Sequence, residues 1–146
     1  MTLWSSNSYI QLRQRDKKAE EILQSVSAFS NAAGGDLFLG ISDHGEPKSM
    51  EDPLNKEYGA QFRGRSQRQD AYVRELKKWI FENTTPTTAL EFNWHEFGEH
   101  LILQLRITKA PVPVNLVRDS EIFIRAGATN RRWRPSDAIK AHLQRS

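Results

Sequence analysis

Apolar residues recur along this chain with a period that changes from segment to segment, and the changes mark its elements. Ala19, Ile22, Leu23, Val26 and Phe29 return every three or four positions, with Lys17, Lys18, Glu20, Glu21 and Gln24 on the other face, which predicts an amphipathic helix. Asp16 is placed to cap its start, and Gly34-Gly35 to end it, because glycine reaches left-handed backbone angles at little cost. Before the helix, Tyr9 to Arg13 alternates apolar and polar and predicts a short half-buried strand. After it, the apolar run Asp36 to Ser42 predicts a buried strand, followed by a turn at Asp43-His44-Gly45-Glu46.

Pro47 to Gln69 shows no clear period and is expected to be a long surface loop with at most one helical turn. Asp70 to Asn83 predicts a second helix, with Val73, Leu76, Trp79 and Ile80 inward and Thr84-Thr85-Pro86 stopping it. Alternation in Leu90 to Trp94 and Leu101 to Ile107 predicts a hairpin turning near Phe97-Gly98-Glu99. Pro111 and Pro113 break the sheet or confine the segment to an edge. Glu121 to Arg125 is expected as a last strand, then a turn at Gly127 and a helix opening at Pro135 through Ala138, Ile139 and Leu143. The order is β-α-β-α-β-β-β-α. It implies one domain over residues 1–146, of α/β (α+β) class, with a mixed sheet and about three helices packed on it.

Composition removes several chemistries. The chain has no cysteine, so disulfides, thiolate metal sites and thiol nucleophiles are excluded. It shows neither a signal-like apolar core near its start nor an apolar run approaching the ~20 residues of a membrane span, so a cytoplasmic address and no membrane partner are expected. Net charge is +3, and its distribution says more than the total. There are 9 basic and 10 acidic residues from Met1 to Asp70, against 12 and 8 from Ala71 onward.

Candidate chemistry is correspondingly narrow. Gly34-Gly35 lies between a helix and a strand, the reverse of a phosphate-binding loop, and no Lys-Ser or Lys-Thr follows it. His95 and His100 flank the hairpin and are too few for a metal site, so no metal and no cofactor are expected. Asp36 and Asp43 border one strand, where turn chemistry explains them; Asp43 is the one weak catalytic candidate. Two basic clusters carry more. Arg63, Arg65 and Arg68 stand in FRGRSQRQ with no acid among them, and Arg131, Arg132 and Arg134 surround Trp133 in TNRRWRPS. Forked guanidinium groups suit phosphate, and an adjacent indole can stack on a base. Arginines spaced by one residue in an extended loop project to opposite sides, so not all of them can face one strand. Arg125 is open between three roles: pinned in the structure, paired with an acid, or reaching a ligand groove.

Taken together, several stretches resemble the Schlafen AlbA-type domain. SVSAFSNAAGGDLFLGISDHGEP (Ser25 to Pro47) is similar to that family's AFANT-x-GG-x-hydrophobic-GV-x-D-x-G signature. Thr84 to Pro86 after a helix, LILQLRI, the proline-containing PVPV and IFIRAGATNRRWRPSDAI follow in the family's order. The resemblance runs from about Tyr9 to Leu143 and implies an α/β domain that binds nucleic acid. In animal Schlafen proteins two such lobes form a clamp that cleaves structured RNA with a carboxylate triad and divalent metal. A one-lobe chain would build a comparable groove by pairing with a copy of itself or with another subunit.

The departures are as informative as the match. The family's entry motif carries two glutamates; at the matching positions here stand Ser6 and Gln11, and only Asp43 remains near the third carboxylate position. Serine and glutamine lack the charge that holds Mg²⁺ or Mn²⁺. The family's lysine after that strand becomes Arg13, which keeps a positive charge at the groove. The expectation is therefore a non-catalytic DNA- or RNA-binding module, acting as a dimer or complex subunit. Its contacts would be Arg13, Arg63, Arg65, Arg68, Arg125, Arg131, Arg132, Trp133 and Arg134. Two alternatives stay open: a protein-interaction subunit of a larger machine, and a metal-dependent endonuclease using Asp43 with Asp36 or Glu46.

Overall fold

One helix, α1 (Lys17–Asn31), is enclosed on nearly all sides, and the other elements are arranged around it. The computed structural model describes residues 4–7, 9–10, 17–42 and 44–145. On one side of α1 lies a four-stranded mixed sheet in the order β1-β2-β5-β4. Its strands are β1 (Trp4–Asn7), β2 (Gly35–Leu39), β4 (Leu90–Phe97) and β5 (His100–Ile107). β1 runs parallel to β2, and the other pairs are antiparallel. On the other side lies a two-stranded ribbon, β7 (Phe123–Ala126) with β8 (Thr129–Arg132). A smaller pair, β3 (Thr84–Thr85) with β6 (Asn115–Leu116), joins the end of α3 (Arg65–Asn83) to the chain entering the ribbon. The remaining helices are α2 (Glu51–Tyr58) and α4 (Pro135–Arg145).

The periods in the sequence account for most of this. Ala19, Ile22, Val26 and Phe29 of α1 are fully buried, as are Leu37 and Leu39 of β2. Leu101, Leu103, Leu105 and Ile107 alternate along β5 onto the same core, each at most 1% exposed. The β4–β5 hairpin closes between Phe97 and His100, and Gly98 supplies the positive φ of 60° that a two-residue turn demands. At the end of α1 the Gly34 N–H donates to the Phe29 carbonyl at φ +78°, and a Cβ there would stand 2.7 Å from the Ile107 carbonyl oxygen. Glycine is thus required at position 34 both by backbone angle and by close approach.

The motif AFSN at the end of α1 serves the ribbon side. The Asn31 amide donates to the carbonyls of Val114 and Phe123 at 2.9 and 2.8 Å, and its carbonyl accepts the Val114 N–H at 2.7 Å. The Ser27 hydroxyl donates to the Val114 carbonyl and accepts the Phe123 N–H. Two buried side chains so take the place of a neighbouring strand on the edge of residues 114 and 123 that faces α1.

Four expectations change. Among the described residues the first strand is Trp4–Asn7; of the expected strand Tyr9 to Arg13, Tyr9 and Ile10 are not strand, and positions 11 to 16, including the proposed cap, lie outside the described residues. WSSN has no apolar alternation and gains its strand from pairing with β2. The stretch expected as a loop holds α2 and the first turn of α3, which gives four helices among the described residues where about three were expected. Helix α3 starts at Arg65 rather than Asp70, so Arg65 and Arg68 stand on a helix. The last strand lies off the main sheet as a hairpin with β8.

The Asn31 contacts make a direct prediction. Asn31→Ala strands the Val114 N–H and the Phe123 carbonyl in the interior and is expected to cost about 2–4 kcal/mol of stability in urea unfolding. Asn31→Asp keeps one acceptor, loses both donors, and should also unfold early. A loss below about 1 kcal/mol would show that these bonds do not hold the ribbon.

Candidate nucleic-acid interface

The two arginine clusters rest on different supports. Arg63 precedes α3, and Arg65 and Arg68 occupy its first turn. Arg68 turns back to the carbonyls of Arg63 and Phe62, at 2.7 and 3.3 Å, and so braces the loop. Arg65 reaches Glu51 of α2 at 3.0 Å and Glu96 of β4 at 2.5 Å, tying three elements together. Arg63 is exposed and in no ion pair among the described residues.

The second cluster stands on the ribbon. Arg132 is opposite Phe123 and pairs with Glu121 at 3.2 Å, while Arg134 pairs with Asp137 of α4 at 3.2 Å. Arg131, opposite Ile124, is exposed and in no such pair among the described residues. Trp133 is half-buried, its N–H bonded to the Ile122 carbonyl at 2.7 Å. Arg125 takes the pinned role. Its guanidinium lies 5.0 Å over the Phe29 ring and donates to Gly127 and to Asn130, which in turn donates to Ser25 on α1. Burial pulls its pKa below the ordinary arginine range. This chain of bonds fastens the ribbon to α1 alongside those of Asn31 and Ser27, so Arg125 helps to place Arg131 and Arg132.

Other sequence candidates fall in distinct places. Asp36 is buried in β2, accepting from Gln104 at 3.0 Å and Arg106 at 3.3 Å, so its carboxylate is engaged within the sheet. Ser6 lies on β1 opposite Phe38, whereas Gln11, Arg13 and Asp43 are outside the described residues. His95 and His100 do not face each other across the hairpin: His95 stands opposite Ile102, and its Nε2 bonds Gln104 at 2.6 Å. Among the described residues no three His, Asp or Glu side chains are grouped to hold a metal.

Sequence reasoning overlooked a cleft between α3 and β4. Among the described residues it is an open cleft of about 670 Å³. Phe92 and Trp94, alternate residues of β4, line one side, and Gln67, Asp70, Val73 and Arg74 of α3 the other, with Phe62 completing it. Behind it lies a tyrosine cluster. Tyr9 donates to Glu57, Tyr58 to Glu75, and Tyr72 to the Ile10 carbonyl at 2.9 Å. Tyr72 is 5.1 Å from the Tyr9 ring and 6.5 Å from Trp94. Burial first, then the hydrogen bonds to Glu57 and Glu75, hold Tyr9 and Tyr58 well above the ordinary phenol range. Burial does the same for Tyr72.

With this geometry in place, comparison with known proteins is informative. The chain matches the Schlafen, AlbA_2 family over residues 7–134 and belongs to that family. Its fold is similar to the crystal structure of the DIP2311 protein from Corynebacterium diphtheriae, with a TM-score of 0.64 at 14% identity. The alignment covers 98% of this chain and 27% of that one, so the chain spans about a quarter of its length. No curated protein matches the chain by sequence. Among the described residues no helix is long and apolar enough to cross a membrane.

The tyrosines generate a pH prediction. Their folded-state pKa values are raised, so their contribution is fully present below the ordinary phenol value of about 10 and falls above it, where the unfolded chain ionises first. Urea midpoints are expected to drop above about pH 10, and to drop less steeply in Tyr9→Phe and Tyr58→Phe. Parallel alkaline profiles for wild type and both variants would place the loss elsewhere.

Proposed function

We propose that this chain is a non-catalytic nucleic-acid-binding module, held to phosphate by exposed arginines at the start of α3 and on the β7–β8 ribbon. The observation that carries the reading is family membership combined with an arginine in each cluster, Arg63 and Arg131, that has no acidic partner among the described residues. The paired arginines, Arg65, Arg132 and Arg134, are at least 47% exposed at the side chain and can exchange a carboxylate for a phosphate. Arg13 belongs to the same reading. Arg125 and Arg68 act from behind, fixing the ribbon and the loop. Ser6 and Gln11 in place of the family's glutamates support binding without cleavage. Pairing with a second copy would extend the basic surface.

A second reading, attachment to a protein partner, is favoured by α4. Ile139 and Leu143 lie one turn apart and are 57% and 64% exposed.

Fluorescence anisotropy with labelled single- and double-stranded DNA and RNA, over a salt series with Mg²⁺ and with EDTA, separates these readings. Binding is expected to weaken steeply with salt while the probe stays intact. Arg63→Glu with Arg131→Glu should lower the salt slope by about 0.7–0.9 for each phosphate that is no longer neutralised. An unchanged slope would reject these residues, and probe cleavage with Mg²⁺ would reject the non-catalytic reading. No binding at low salt would leave the α4 surface as the better guide.

A further inference from the structure

The α3–β4 cleft begins beside the first arginine cluster, with Phe62 next to Arg63 and Gln67 next to Arg68 in its lining, and combines three features. First, its aromatic residues are half-buried. Phe62, Phe92 and Trp94 pack on the core and also line the cleft, so each is held rigidly while still presenting surface to it. Second, its volume lies within the about 300–1,000 Å³ of small-ligand sites. Third, cations stand at its rim. Arg74 lines it, and Lys77 stands one turn further along α3; neither is in an ion pair among the described residues. Lys77 lies 5.7 Å over the Phe81 ring, on the same helix. Asp70 is the one carboxylate in the lining among the described residues.

We propose that this cleft takes an unpaired base of a single-stranded nucleic acid, stacked on Phe92 or Trp94, with Arg74 and Lys77 on the flanking phosphates. The proposal rests on the nucleic-acid reading above and names the form of the polymer. Rigid aromatic faces beside cations are what a base and its phosphate need together, and stacking is tolerant of sequence. A base inside a duplex cannot enter such a recess without leaving its stack. The α3 wall supplies polar partners as well. Gln67 Oε1 accepts the Gly64 N–H, so its amide nitrogen is the group left to donate, and Asp70 is an acceptor for the amino or imino group of a base edge.

Two measurements test it. A short dT oligonucleotide carrying 5-iodouracil is bound, irradiated, and the crosslinked peptides are mapped by mass spectrometry. Crosslinks are expected at Phe62, Phe92 or Trp94. Tryptophan fluorescence is then titrated with unmodified dT oligonucleotide. Quenching is expected in wild type and is expected to fall by more than half in Trp94→Phe. Arg74→Glu, an exposed change that leaves the core intact, should weaken single-strand binding while sparing duplex binding. Phe92→Leu, which keeps an apolar side chain, should weaken it roughly 5- to 150-fold, the equivalent of removing one base stack.

Crosslinks confined to the β7–β8 ribbon, with Arg74→Glu binding like wild type, would overturn the cleft while the arginine surface stands. Equal affinity for duplex and single strand, unchanged in both variants, would do the same. If wild type binds neither polymer, the cleft proposal falls together with the reading it rests on.

Discussion

A buried helix that must serve a sheet on one side and a displaced strand pair on the other faces a problem of backbone satisfaction. The sheet side is solved by strand pairing, since β2 pairs with both β1 and β5. The ribbon side has no sheet to join, because Pro111 and Pro113 take the chain away from β5. Asn31 and Ser27 solve it with side-chain groups aimed at Val114 and Phe123. Asn31 can do this because one amide both donates and accepts, so it meets backbone groups of either kind. Everything on the ribbon, including Arg125, Arg131 and Arg132, takes its place from those bonds. Gly34 then lets the chain leave α1 against β5 without a side chain in the way. The most recognisable stretch of the sequence is in this sense a scaffold, and the bonds it makes are spent on the protein's own backbone.

Much of this was legible from residue pattern. The 3.6-residue period of α1 and the alternation in LILQLRI each report a surface with one buried side, and both elements stand where the period put them. Helix α2 and the start of α3 had no such signal. In α2 only Leu54 and Tyr58 are buried, and from Arg65 to Asp70 no residue is. A helix that buries so little leaves no stripe. What it leaves is end chemistry: Glu51, Asp52 and Pro53 in a first turn, and Gly64 followed three residues later by Gln67, whose side chain returns to the Gly64 N–H. Those signals are present in the sequence and move Arg65 and Arg68 from loop to helix once they are weighed.

The cleft was illegible for a different reason. Val73 reads as a core residue and Trp94 as a core or surface anchor, and both pack on the core. Whether the outer surface of a core residue meets another side chain or open space depends on how far α3 stands from an edge strand, and no local pattern encodes that distance. The arginines show the converse case. Their number was obvious and their use was not, since Arg68 and Arg125 spend their donors on backbone carbonyls and on Asn130.

That division bears on how strongly such a surface attracts phosphate. An exposed ion pair contributes only about 0–1 kcal/mol, so Arg132 and Arg134 lose little by leaving Glu121 and Asp137. The carboxylate does not disappear when its arginine turns to a phosphate, however, and at a few ångströms it repels the newcomer. Each such exchange gives a contact with a reduced net attraction. Exposed arginines without a carboxylate partner among the described residues, Arg63, Arg74 and Arg131, would gain the full interaction. The attraction therefore scales with the unpaired cations, lysines included, rather than with the arginine count. Arg63 precedes α3 and Arg74 lines the cleft, so on the proposed reading electrostatic capture and base contact would coincide along that helix.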